Sequence, residues 1–199
     1  MTKTITALIL AAGQSRRMGT PKMLLPWGKT TVLGQVVATF AQAGIGEIVI
    51  VTGGARQAVE AEVNRLARDF ALRCVHNSQS EPGDMLSSLQ CGLASLGSQV
   101  ESALIGLGDQ PQLSLAAALA VISAYESSSA QLIVPSHDMR RGHPWLVQRA
   151  LWAELLALGA PLTLRDFLNA HAGDISYVEA DQTILKDLDT PADYQREKP

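Results

Sequence analysis

The 199-residue sequence holds only two cysteines, Cys74 and Cys91, and 18% charged residues. Two thiols cannot build a disulfide framework or a four-thiolate zinc site. Both sit among apolar neighbours and read as reduced core thiols of a cytosolic protein. A basic excess is missing: the net charge is −3, which argues against gripping nucleic acid through bulk positive charge. No run approaches about 18 consecutive apolar residues, so no membrane span is expected. Met1-Thr2-Lys3-Thr4 leads straight into a strand-like run, without the longer apolar stretch and small-residue cleavage site of a secretory leader. Repeats, linkers and low-complexity segments are absent too. Apolar residues make up 47% of the chain, too many for a disordered segment and ample for one buried core. The expectation is a cytoplasmic protein with no nucleic-acid and no membrane partner.

Short apolar runs alternate with helical periodicity. Residues 4–10, 47–51, 71–76, 102–108 and 131–135 read as strands. Between them lie a helix carrying Val36, Val37 and Phe40, closed by Gly44 and Gly46, and a second over residues 55–69. A third places Leu86, Leu89, Leu93 and Leu96 on one face, and a fourth Leu115, Ala118, Leu119 and Ile122 on one stripe. A β-α-β-α order with nearly continuous apolar strands predicts an α/β fold with a mostly parallel sheet covered on both faces. Binding loops then lie at the carboxyl ends of the strands. After residue 140 the pattern loosens: residues 144–147 read as a short strand, 151–158 and 162–170 as short helices, 175–178 and 183–188 as edge strands. One domain, 1–199, is the economical reading, with the later third shaping the substrate side.

The loop after the first strand gathers Gly13, Ser15, Arg16, Arg17, Gly19 and Lys22. Small residues let backbone N–H groups approach a phosphate closely, and Arg17 and Lys22 supply permanent positive charge. A polyphosphate loop and a plain basic surface turn both satisfy these residues. Gly28-Lys29-Thr30 imitates the end of a P-loop, but Met23 stands where that motif needs its first glycine. The glycine spacing is not the dinucleotide fingerprint either. Asp109 ends an apolar strand and could hold Mg²⁺ or cap the helix that follows near Ser114. Asp187 and Asp189 are two apart and point to one side of an extended segment. Asp193 suits the local cap of a helix that starts after Asp189-Thr190-Pro191. His76, His137 and His171 show no metal-ligand spacing. Trp27 and Trp145 fit core or rim roles. No Ser-His-Asp or Cys-His arrangement is found.

The pattern Leu10-Ala11-Ala12-Gly13-x-Ser15-x-Arg17-Met18-Gly19-x-x-Lys22 resembles the signature of nucleotidyltransferases that activate substrates with a nucleoside triphosphate. Gly108-Asp109-Gln110-Pro111, Gly142-His143-Pro144 and Asp187-Leu188-Asp189-Thr190-Pro191-x-Asp193 look like that group's later loops, in order along nearly the whole chain. The combination is most similar to the molybdenum cofactor cytidylyltransferases within the molybdopterin-nucleotidyltransferase-like (MobA-like) family. That resemblance implies a three-layer α/β/α, Rossmann-like nucleotide-diphospho-sugar transferase fold, with 1–135 the nucleotide-binding part and 136–199 the substrate-side and second metal-ligand part. It implies CMP transfer from CTP to the phosphate of molybdopterin, with Mg²⁺ as cofactor, in-line displacement and pyrophosphate release. It assigns catalysis to Arg17, Lys22 and Asp109, and the metal to Asp109 and Asp189 with Asp187 as a less certain partner. Nucleotide contacts fall on Leu10, Ala11, Ala12, Gly13, Ser15, Arg17, Lys22, Asn77, Ser88 and Asp109. Pterin contacts fall on Gly142, His143 and Pro144. An acceptor molybdoenzyme or its chaperone is a further implied partner.

The chain departs from the family pattern at Asp84, where relatives carry Gly, with Gly83 one position early. Ala12 resembles pyrimidine-using members; a second glycine there would admit a larger purine. The rival expectations are a guanylyltransferase on the same cofactor, a cytidylyltransferase on another phosphorylated small molecule, and a cofactor-binding chaperone without turnover.

Overall fold

A computed structural model describes residues 4–13, 18–79 and 85–199. In chain order the strands are β1 (Ile5–Ala11), β2 (Pro26–Trp27), β3 (Thr30–Thr31), β4 (Ile48–Thr52), β5 (Leu72–His76), β6 (Ser102–Leu107), β7 (Leu132–His137), β8 (Arg140–Arg141), β9 (Trp145–Gln148) and β10 (Ile175–Glu179). The helices are α1 (Val32–Gln42), α2 (Arg56–Leu66), α3 (Met85–Ala94), α4 (Leu115–Ser127), α5 (Trp152–Ala157), α6 (Leu164–Ala170) and α7 (Pro191–Glu197).

The main sheet runs β10-β7-β9-β6-β1-β4-β5. β9 is antiparallel to both β6 and β7, and β8 folds back on β7; the other pairings are parallel. Successive strand residues point to opposite faces. Ala7, Ile9, Ile48, Ile50 and Leu104 face α1, α2 and α4. Leu8, Leu10, Val49, Val51 and Ile105 face α3, α5 and α6. Both faces are buried, which is why these strands are continuously apolar rather than alternating. The result is the three-layer α/β/α architecture expected from the sequence.

Local chemistry sets the helix ends. Thr31 caps α1 by accepting from Gly34 N at 3.0 Å, and Gly44, at φ +88°, ends it. Ser114 caps α4, and Thr190 with Asp193 closes a capping box on α7, as expected for Asp193.

Two expectations are corrected. The buried face of α4 is Ala117, Ala118, Val121, Ile122 and Tyr125, while Leu115 and Leu119 face outward. An alanine-rich helix has little contrast between its faces, and the small residues turn inward to let the helix sit close to the sheet. Residues 183–188 do not form an edge strand. Gln182–Leu185 is a 3-10 turn capped by Asp181, and loops take up its backbone: His143 N donates to Ile184 O at 3.2 Å.

Strand order places the site. The chain builds β1, β4 and β5 outward in one direction, then returns to lay β6 on the other side of β1. The crevice between β1 and β6 is therefore a topological switch point, where ligands of open α/β sheets bind. The loop after β1 and the Gly108-Asp109 loop after β6 start side by side, with Gly108 N donating to Leu10 O at 3.0 Å.

Candidate active site

Leu10 and Ala11 end β1 and are buried, Ala12 is half-buried and Gly13 exposed. Ser15 and Arg17 lie outside the described residues. Lys22 opens a 3-10 turn, Lys22–Leu24, that carries the chain back to the crevice. There the Lys22 ammonium contacts the Asp109 carboxylate and stands 3.5 Å from Asp189 Oδ1. Lys22 and Asp109 are largely enclosed, while Asp189 is open to solvent. Burial works against the ammonium, but the carboxylates of Asp109, then Asp189 and Asp187, outweigh it and raise the Lys22 pKa.

The two distant acidic loops are stitched together. Leu188 N donates to Asp109 O at 3.2 Å. Buried Gln110 donates from Nε2 to Asp187 Oδ1 at 2.7 Å and to Ile184 O at 3.4 Å. Gln110 stood in the acidic motif without a role; only the tertiary contact reveals it as the tie. Although Asp187 is exposed as a residue, the protein around its carboxyl and then the neighbouring charge of Asp109 push its pKa up. Among the described residues no three side chains are assembled as a ready ligand set. Two carboxylates with a cation already resting between them nevertheless fit Mg²⁺, which takes one or two carboxylates and completes its shell with waters and phosphate oxygens.

Asn77 and Ser88 meet each other. Asn77 is buried, and its Nδ2 donates to Ser87 Oγ at 2.9 Å and Ser88 Oγ at 3.2 Å. The pair ties the end of β5 to α3 across a connection whose residues 80–84, including the departure at Gly83 and Asp84, lie outside the described residues.

Beside the crevice opens a pocket of about 1520 Å³. His143 reaches it from the loop before β9, and residues 158–165 line it as well, while Gly142 and Pro144 are buried off its described wall. An added Cβ at Gly142 would stand 2.4 Å from Ile184 O, so only glycine lets this loop lie against the segment leading to Asp187. His143 stacks on Trp145 with ring centroids 4.6 Å apart and an interplanar angle of 12°. Its Nε2 is enclosed and has no partner among the described residues. Burial lowers its pKa to about 4, so the ring is neutral near pH 7. Trp145 Nε1 donates to Gly142 O at 2.8 Å. Trp27 instead packs with Val32, Leu188 and Tyr194, steadying the Lys22 turn against α7.

The remaining candidates are structural. His76 approaches Thr52 Oγ1 at 3.4 Å, His137 Nδ1 donates to Ala180 O at 2.8 Å, and His171 pairs with Glu154 at 2.9 Å. Cys74 and Cys91 are free, and burial raises both thiol pKa values, Cys74 to about 11. No helix among the described residues is long and apolar enough to cross a membrane.

A lysine and two carboxylates at the switch point of a mostly parallel sheet, near a large pocket, suit a phosphate-handling transferase. The chain belongs to the MobA-like NTP transferase domain family, whose profile matches residues 7–175, and it is a nucleotidyltransferase. It is similar to the molybdenum cofactor cytidylyltransferase of Escherichia coli K12, 29% identical over 191 residues covering 96% of this chain and 93% of that one. It is also similar to nicotine blue oxidoreductase of Paenarthrobacter nicotinovorans, 29% identical over 94% of this chain and 92% of that one. Among solved structures, Rv0371c of Mycobacterium tuberculosis H37Rv superposes with a TM-score of 0.82 at 30% identity, covering 98% of this chain and 97% of that one. A complex of Rv0371c with manganese superposes at a TM-score of 0.78 and 28% identity, covering 98% of each chain.

Proposed function

We propose that this protein transfers CMP from CTP to the terminal phosphate of molybdopterin and releases pyrophosphate, acting in the cytoplasm as a single nucleotidyltransferase domain. The observation that carries the reading is the meeting of Lys22 with Asp109 and Asp189, from three distant stretches of chain, beside the pocket. The likeness to a molybdenum cofactor cytidylyltransferase over nearly the full length supports the substrate. Ala12 favours the smaller pyrimidine base. The likeness to an oxidoreductase carries less weight, because the glycine spacing after β1 is not a dinucleotide fingerprint.

The attacking phosphate is already ionised near pH 7, so the protein's work is placement and charge neutralisation rather than proton removal. Mg²⁺, held by Asp109 and Asp189 with Asp187 beside them, would neutralise phosphate oxygens as charge builds on them. Lys22, with Arg17, holds the triphosphate and offsets the negative charge of departing pyrophosphate. The backbone from Leu10 to Gly13, with Ser15, Asn77 and Ser88, seats the nucleotide. His143 faces the acceptor from the turn that Gly142 and Pro144 shape; as a neutral ring, it offers a hydrogen bond to a heterocycle edge rather than a charge to a phosphate. The product is handed to an acceptor molybdoenzyme or its chaperone.

Incubation with each of four nucleoside triphosphates, Mg²⁺ and molybdopterin tests this. Pyrophosphate and a CMP-adduct mass with CTP alone are expected. Adduct formation with GTP alone, or with no triphosphate, would overturn it.

A further inference from the structure

Gln110 is a buried amide at the acidic cluster, and the proposed reaction gives it no part. It is 3% exposed and directly follows Asp109 in the loop after β6. Its backbone is held in the turn there, with Leu113 N donating to Gln110 O at 3.1 Å. From this fixed root its Nε2 reaches Asp187 Oδ1 at 2.7 Å and Ile184 O at 3.4 Å. Its Oε1 is enclosed and has no partner among the described residues. A buried acceptor without a donor works against folding. The side chain therefore contributes through what it donates, not through what it could accept.

Asp187 needs such a hold. It lies on a loop and is exposed as a residue, and the bond from Gln110 is the one hydrogen bond its carboxylate makes among the described residues. Leu188, fully buried with Trp27 and Val32, pins the backbone beside it, and Leu188 N donates to Asp109 O at 3.2 Å. The backbone tie and the side-chain tie together fix Asp187 relative to Asp109. The carboxylate then stands where the charges of Asp109, Asp189 and Lys22 all act on it. The kind of donor matters. An acid in place of Gln110 would accept rather than donate, and would add a further negative charge. A lysine or arginine would donate but compete for the carboxylate's charge, as Lys22 does at Asp109. A neutral amide ties the carboxylate down and leaves its charge for a cation.

We propose that Gln110 is a positioning residue for the divalent cation: it acts through Asp187, holding that carboxylate beside Asp109 and Asp189, and so sets how tightly the ion binds. This rests on the metal-site reading above and extends it to a residue that does not itself touch the ion. Hydrogen-bond partners one step behind the groups that face a metal typically change its affinity about ten- to a hundred-fold when lost.

Mn²⁺ binding to the nucleotide-free protein, read by electron paramagnetic resonance or calorimetry, tests this without either substrate. Gln110→Met keeps the length and bulk of the side chain and removes the donor, and Mn²⁺ affinity is expected to fall about ten-fold or more. Asp187→Ala should weaken Mn²⁺ at least as much. Adding Gln110→Met to Asp187→Ala should then change the affinity by no more than about two-fold, because the amide acts through the carboxylate. Should Gln110→Met fail to fold, Asp187→Asn keeps an oxygen for the Gln110 bond and loses only charge; weaker Mn²⁺ with a native melting temperature is expected. In steady-state kinetics with CTP and molybdopterin, Gln110→Met should raise the Mg²⁺ concentration for half-maximal turnover about ten-fold, with kcat restored at saturating Mg²⁺. A side chain that only supported the fold would not be rescued by metal.

Mn²⁺ affinity unchanged in Gln110→Met or in Asp187→Asn overturns the proposal. So does a loss in Gln110→Met that is as large without the Asp187 carboxylate as with it, or a kcat that stays low at saturating Mg²⁺. If Mn²⁺ binding depends on Gln110 but CMP is not transferred from CTP, the positioning role stands and the substrate reading falls. If CMP is transferred and neither metal responds to Gln110→Met, the positioning role falls and the cytidylyl-transfer reading stands.

Discussion

Lys22 and Arg141 are both cations, but their surroundings differ in kind. Lys22 sits against the Asp109 carboxylate with Asp189 close by. Arg141 is held by the Tyr177 phenol and the Asn169 amide. On the function proposed above, a cation matched by carboxylates would exchange partners when a triphosphate and a metal bind: the phosphates would take the ammonium and the acids would hold the metal. A cation held by neutral groups has no acid to exchange. The first arrangement is built to rearrange and the second to keep its partners.

The largest expected effect breaks the first arrangement. Asp109→Asn should lower pyrophosphate release by about a hundred-fold or more, the scale of losing a charge-stabilising group at the reacting centre. A melting temperature close to that of the native protein would show that the fold survives, and near-normal turnover would remove Asp109 from the site. Lys22→Ala sharpens the contrast. With its competitor gone, Mn²⁺ should bind several-fold more tightly to the nucleotide-free protein, read by calorimetry or electron paramagnetic resonance, while turnover falls. Unchanged or weaker Mn²⁺ binding would show that the ammonium and the metal do not share the carboxylates.

Gly142→Ala tests the seam between the two arrangements. Its Cβ would collide with Ile184 O at 2.4 Å, so a loss of about 1–3 kcal/mol in urea unfolding is expected. At neutral pH the smallest effect belongs to His143, whose contribution emerges only on acidification. Its folded pKa, about 4, lies below the usual 6.5, so the unfolded chain binds more protons between those values. Stability should fall as pH drops through that window, by at most about 1.4 kcal/mol per pH unit for one proton, and level off below it. His143→Gln should flatten the slope. The same slope in both proteins would assign it to other groups.

The strands and the first three helices were readable because both faces of the sheet are covered and periodicity reports burial directly. Asp109 and Lys22 were readable because their motifs sit at strand ends. α4 was misjudged because alanine and leucine offer little contrast, and only packing decides which turns inward. Residues 183–188 were misjudged because Thr183-Ile184-Leu185 looks like the start of an edge strand when the loops that take its backbone bonds are far away in sequence. Gln110 and Arg141 stood inside or next to quoted motifs. Their partners, Asp187, Tyr177 and Asn169, lie on other elements, and no local pattern announces such a contact.

The tie between Gln110 and Asp187 spans 77 positions. A ribosome that has already delivered Asp109 must therefore keep adding residues through Asp187 and Asp189 before the acidic nest can close. Until then the emerging polypeptide displays a basic loop with half of its counter-charge missing. A nascent polypeptide that stops short of Asp187 and Asp189 lacks the carboxylates that complete this cluster around Lys22 and Gln110.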